Sequence, residues 1–161
     1  MQKLLMVCLL FAALCVSMGC GKAAPPADAS TSSSQEKEPS TLKQKKSVEI
    51  RAGGKTFLAV LEDNEAARAF SAKLPLTVTM TELNENEKYY RLPERLPYSD
   101  QNVGTIHTGD LMLYNGNCIV LFYRDFSTSY SYTRLGRVEN HPAGLAEALG
   151  PGDVPVIFDL P

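Results

Sequence analysis

Apolar and polar residues alternate through much of this chain, and the alternation predicts strands. In Val48-Glu49-Ile50-Arg51 every second residue is apolar, the period of a half-buried strand. Gly53-Gly54 supplies a tight turn, because glycine tolerates positive φ, and Thr56 to Leu61 is the return strand. Asp63-Asn64 offers an N-cap for a helix over Glu65 to Lys73. Leu74-Pro75 ends that helix, since a residue before proline disfavours the helical region. Leu76, Val78 and Met80 alternate with three threonines as another half-buried strand. After the turn Asn84-Glu85-Asn86 comes a short strand over Lys88 to Arg91. Leu92 to Thr108, with Pro93, Pro97, Asn102 and Gly104, has no period and is expected to be irregular. Asp110 to Tyr114 and Cys118 to Tyr123 form a hairpin around Asn115-Gly116-Asn117. Arg124-Asp125-Phe126 breaks the pattern. Tyr130 to Tyr132 and Leu135 to Val138 make one strand or two. Ala143 to Leu149 is a short helix stopped by Gly150-Pro151-Gly152, and Val154 to Leu160 closes the domain as a strand. The expectation is a mainly β fold: a closed barrel of about eight strands with two short helices.

The start of the chain has a different pattern. Lys3 is followed by an unbroken apolar run from Leu4 to Val16, then Ser17-Met18-Gly19-Cys20. A charged start, a short apolar core and a small-residue site are the layout of a secretory signal. The run is shorter than the about 20 apolar residues needed to span a bilayer. The Cys after Gly resembles a bacterial lipoprotein signal, with Ser17 where that family usually carries Leu. The resemblance implies that Cys20 is lipidated and becomes the mature N-terminus; an ordinary secretory signal is the alternative. Residues 21–46, rich in Ser, Pro, Ala and charge, bury too little apolar surface to order themselves and are expected to be a tether. The expected organisation is a signal over 1–20, a tether over 21–46 and one domain over 47–161. The expected place is the extracytoplasmic side of a bacterial envelope, with the membrane as partner through the anchor.

Composition narrows the chemistry. The net charge of −2 argues against nucleic acid, whose phosphates call for clustered Lys and Arg. The dense basic run Lys43-Gln44-Lys45-Lys46 lies in the tether, where it either meets anionic headgroups or is simply solvated. Of the four cysteines, Cys8 and Cys15 fall in the expected leader and Cys20 is the anchor candidate. Cys118 alone remains in the domain, so no disulfide forms within it. Its strand context suits a small buried apolar group. His107 and His141 have no partners at metal-ligand spacing, and there is no nucleophile elbow or Gly-rich phosphate loop. No metal or cofactor is expected.

Asp63-Asn64-Glu65-Ala66-Ala67, Leu74-Pro75-Leu76, Glu87-Lys88-Tyr89-Tyr90 and Leu92-Pro93 follow one another in a recognisable order. The blocks GTIHTGDLMLYNGNCIVLFYRDF (104–126) and TSYSYTRLGRV (128–138) complete it. Together they resemble the bacterial cyclophilin-like domain family over nearly all of Val48 to Phe158. The resemblance implies a cyclophilin-type eight-stranded barrel. Cyclophilins proper are peptidyl-prolyl isomerases that use an Arg in a Phe-His-Arg motif, followed by Gln-Gly-Gly-Asp. Neither motif occurs here. Thr108-Gly109-Asp110 is the nearest text, His107 is not followed by Arg, and the chain has no Trp.

The expected function is therefore a peptide or small-molecule binding module lacking the standard isomerase residues. The alternative is a divergent prolyl isomerase that assists the folding of exported proteins. The expected ligand-binding set is Tyr89, Tyr90, Phe126, Tyr130, Tyr132 and Arg134, in which aromatic faces and a guanidinium grip a ligand. Half-buried tyrosines with wet hydroxyls are the plainer alternative. Glu87 and Lys88 form either a polar pair at the pocket edge or a solvated charge pair, and Asp110 is expected to satisfy backbone donors at a strand start.

Overall fold

The computed structural model describes residues 46–161. The signal, Cys20 and nearly all of the expected tether lie outside the described residues. In chain order the strands are β1 (Ser47–Ala52), β2 (Lys55–Leu61), β3 (Leu76–Leu83), β4 (Glu87–Arg91), β5 (Gln101–Asn102), β6 (Thr105–Ile106), β7 (Asp110–Tyr114), β8 (Cys118–Phe122), β9 (Phe126–Ser127), β10 (Ser131–Val138) and β11 (Val154–Asp159). Helix α1 spans Glu65–Ser71, and α2, Leu145–Leu149, follows a 3-10 turn at Pro142–Gly144.

Eight of these strands pair antiparallel in the order β2-β1-β11-β3-β4-β8-β7-β10, and β10 returns to β2 to close the barrel. The closure pairs Gly136 with Leu61 and Val138 with Ala59, just past a bulge at Arg134–Gly136. Side chains at alternate positions fill the interior, where Ile50, Phe70, Met80, Ile119, Leu121 and Phe158 are fully buried. Phe70 of α1 meets Phe158 edge to face at 5.5 Å. Burying one such ring contributes about 2–3 kcal/mol. Asn64 caps α1 by accepting from the Ala67 N–H at 2.8 Å, and its amide donates to the Arg134 carbonyl at 2.8 Å, tying the helix to β10.

The fold class matches the pattern of the chain, and the departures have local causes. Helix α1 ends at Ser71 instead of Lys73, two residues earlier, with Leu74-Pro75 following. The stretch 92–108 contains two strands of two residues each, too short to show a period. β5 extends the barrel edge at β10, and β6 pairs with β9, where the chain was expected to break its pattern. Residues 131–138 are one bulged strand.

One polar cluster is buried near the barrel rim. Lys88 is fully buried and donates to the carbonyls of Gly150 (2.8 Å) and Gly152 (2.6 Å) and to the Glu82 carboxylate. The Tyr123 hydroxyl donates to the same carboxylate at 2.8 Å. Burial pushes the Glu82 carboxyl up, but Lys88 and Tyr123 outweigh it and hold the group below its usual value. A carboxyl depressed in the folded state adds stability above its unfolded value, here 4.5, and that contribution is lost as pH falls through the folded value. Lys88→Ala is expected to cost about 3 kcal/mol in chemical denaturation, because it strands Glu82 beside Tyr123. The variant should also lose part of the wild type's stability decline below pH 4.5.

Candidate functional site

Strand β4 has two unlike faces. Tyr90 packs against the barrel core, and Lys88 serves the rim cluster. Glu87, Tyr89 and Arg91, at the intervening positions, line a cavity on the other face. Pairing with β8 sets Glu87 opposite Phe122, Tyr89 opposite Val120 and Arg91 opposite Cys118. Pairing of β8 with β7 then brings Met112 beside Val120 and Tyr114 beside Cys118. These outward residues build a second apolar cluster in which Ile106, Met112, Phe122 and Tyr132 are buried and against which Tyr89, Tyr114 and Phe126 pack. A barrel exterior ordinarily faces water. Here it is overlaid by β6, β9 and the chain leading into β10, which leave a cavity of about 480 Å³.

Aromatic rings make up much of the wall. Tyr114 meets Tyr132 at 5.6 Å and Tyr130 at 6.3 Å, the latter edge to face. Phe122 stands 5.5 Å from Tyr132 and 5.7 Å from Phe126. Tyr130 is 63% exposed at the mouth. The Arg91 guanidinium sits 5.9 Å over the Tyr89 ring. Burial pushes the Tyr132 hydroxyl up, and the nearby Glu87 adds to it. Burial likewise pushes the Cys118 thiol up, with Arg91 opposing in part, so this thiol is a poor nucleophile.

Glu87 is the unusual group in this wall. It is 8% exposed, and its carboxyl makes no hydrogen bond or ion pair with any described residue. Burial first, and the neighbouring Glu82 second, push it up to about 7. The amide oxygen of Asn86, also on the cavity wall, is buried without a partner. Most buried polar atoms are hydrogen-bonded, so the Asn86 oxygen stands out, while the Glu87 oxygens, without a protein partner, are open to the cavity.

The structure divides the six residues expected to bind together. Tyr89, Phe126, Tyr130 and Tyr132 share the cavity. Tyr90 is on the opposite face of β4, because adjacent strand residues point apart. Arg134 lies two residues along β10 from Tyr132 in a different cavity of about 770 Å³, bounded by α1 and residues 96–103; Tyr132 is the wall between the two. Its guanidinium is 3.8 Å from Asp110, a buried carboxylate that also takes Arg137 at 2.6 Å and the His107 N–H at 3.0 Å. Asp110 thus meets a backbone donor as expected and two arginines besides, which makes it a tie between β7 and β10. Glu87 and Lys88 are not paired with each other: each is largely buried on its own side of β4. Tyr114, Glu87, Arg91 and Asn86 were not in the expected set. The shared parity of Glu87, Tyr89 and Arg91 was the available signal for two of them. Tyr114 needs the β7–β8 register. No group of three or more His, Cys, Asp or Glu among the described residues is placed to hold a metal ion.

A family model described as "Cyclophilin-like family" matches residues 50–159. The solution structure of a hypothetical protein from Archaeoglobus fulgidus is similar in fold. It has a TM-score of 0.52 at 18% identity, over 73% of this chain and 95% of that one. None of the curated proteins matches the chain by sequence.

An acid raised in the folded state is held neutral, so its contribution to stability is full below the unfolded value of 4.5 and is lost as pH rises through about 7. Glu87→Gln removes the ionisation and keeps the shape. Its Tm should equal the wild type's at pH 4 and exceed it by about 10 °C at pH 8 in thermal unfolding. Equal Tm at both pH values would mean that Glu87 titrates normally.

Proposed function

The chain belongs to the cyclophilin-like family, and from that premise we propose that it is a binding module for a peptide or small molecule, held in the cavity beside β4. The observation that carries this reading is the cavity itself. A barrel exterior is built into an aromatic wall around one buried, unpartnered carboxyl. A volume of about 480 Å³ lies within the range of small-molecule sites, which are mostly apolar with a few placed polar groups. In the same reading the domain is tethered outside the cytoplasm through a lipidated Cys20, an inference that rests on the leader pattern Leu4 to Cys20. No helix among the described residues is long and apolar enough to cross a membrane.

A divergent prolyl isomerase is the second reading, and one observation favours it. Arg91 is exposed on the cavity wall, where a guanidinium could reach a prolyl nitrogen. The two readings separate in one experiment. Uncatalysed X–Pro exchange takes tens of seconds, so weak catalysis is visible. The binding module is expected to leave that rate unchanged. Fragment hits found by ligand-observed NMR should lose about tenfold in affinity on Tyr130→Ala, with Tm nearly unchanged because Tyr130 is exposed. Acceleration that disappears in Arg91→Ala would make the protein an isomerase, and hits indifferent to Tyr130 would remove the cavity as the site.

The tether is tested separately. Cys20→Ser should move the protein from the membrane pellet to the soluble fraction, since two or more acyl chains are needed for durable attachment. Unchanged partitioning would overturn lipid anchoring.

A further inference from the structure

We infer that the ligand of this cavity is an organic ammonium ion, its positive nitrogen set against the Glu87 carboxyl and enclosed by the rings of Tyr89, Tyr114, Tyr130 and Tyr132. The inference rests on the binding-module reading and names the chemistry that site would take. Aromatic faces carry the negative lobe of the ring quadrupole and attract cations within about 6 Å, more strongly when water is excluded. The wall already does this once, with Arg91 over Tyr89 at 5.9 Å. Glu87 adds a formal charge where the rings supply only partial ones. Its carboxyl has no partner on the protein, so a ligand cation would complete it.

Other ligand charges fit less well. An anion would find Arg91 on the same wall, but also the Glu87 carboxyl and, behind it on β3, Glu82. A metal ion would find one carboxylate on this wall, whereas hard cations take about six or more oxygen ligands. A neutral apolar ligand would cut the carboxyl off from water and give it no partner.

The charge makes binding pH-dependent. The groups around Glu87 are Glu82 from β3, Arg91 on its own strand, Cys118 from β8, Tyr114 from β7, and Tyr130 and Tyr132 at and before β10. Glu87 is the member of this set that changes charge near neutrality. A cation binds the ionised carboxylate, so association below about pH 7 releases a proton.

The test is calorimetric titration of the purified protein with three probes from pH 5.5 to 8.5. They are acetyl-lysine N-methylamide, choline, and 3,3-dimethyl-1-butanol, the neutral isostere of choline. At least one cation should bind, and choline should exceed its neutral isostere. Affinity should rise about tenfold per pH unit up to about pH 7 and then level off. Glu87→Gln should lose at least about thirtyfold at pH 8 and all of the pH dependence. Tighter lysine points to a peptide side chain as the source, and tighter choline to a free quaternary amine. Equal binding of choline and its isostere, or affinity indifferent to pH and to Glu87→Gln, overturns the cation and leaves a module for neutral ligands. No binding by either cation at millimolar concentration overturns it as well. Uncharged fragments sensitive to Tyr130→Ala then report whether the cavity binds at all.

Discussion

The barrel closes where β10 meets β2, and that meeting depends on Gly136 having no side chain. A Cβ there would stand 2.4 Å from the Val60 carbonyl oxygen, closer than two such atoms approach. The bulge beside it shifts the pairing with β7 by one residue, and past it β10 pairs with β2 as well. Closure has a consequence for the outside. Once the eight strands seal an interior filled by Ile50, Phe70 and Phe158, every second residue of β4, β7, β8 and β10 is committed to the exterior. Apolar residues at those positions must be covered from without, and β6, β9 and the 126–130 segment do so. The cavity is the space this second layer leaves.

Strand β4 carries the functional asymmetry because a period of two sorts neighbours without regard to their chemistry. Glu87 and Lys88 are adjacent and both buried, yet their circumstances are opposite. Lys88 has three oxygen partners and a tyrosine ring 5.5 Å away. Glu87 has aromatic walls and no partner. The rim cluster also acts on the cavity, since the Glu82 carboxylate that satisfies Lys88 is the charge that helps hold Glu87 neutral. One carboxylate thereby stabilises the fold on one face of β4 and raises the proton affinity of the group on the other.

Much of the fold was legible because its signals are local. Asn115-Gly116 adopts the left-handed conformations its hairpin needs, Asn64 caps α1 through its own side chain, and the threonine alternation over 76–81 marks β3. The site was legible only in part, because it is assembled by register. Four of the six expected residues do meet around one cavity. Tyr90 was grouped with Tyr89 by adjacency, which a strand converts into opposition. Arg134 has the same parity as Tyr132, but it faces Asp110 and α1 instead of the aromatic wall. Tyr114 enters through its pairing with Cys118, a contact no short motif encodes. β5, β6 and β9 are two residues long and hold together by tertiary pairing, so no period could announce them.

The contrast within β4 also bears on why Glu87 is there. A buried carboxyl without a partner opposes folding, and an apolar residue at that position would relieve the strain. The fold is able to satisfy buried charge nearby: Lys88, the next residue, is ringed by oxygens, and Asp110 on β7 takes two arginines and a backbone N–H. Glu87 departs from that rule while facing the one aromatic cavity on the barrel's outer cluster. Unfavourable groups persist where function needs them and the remaining structure can offset their cost. A carboxyl with no protein partner and a raised proton affinity is well placed to respond to an arriving positive charge, because that charge offsets the cost of ionising the group there.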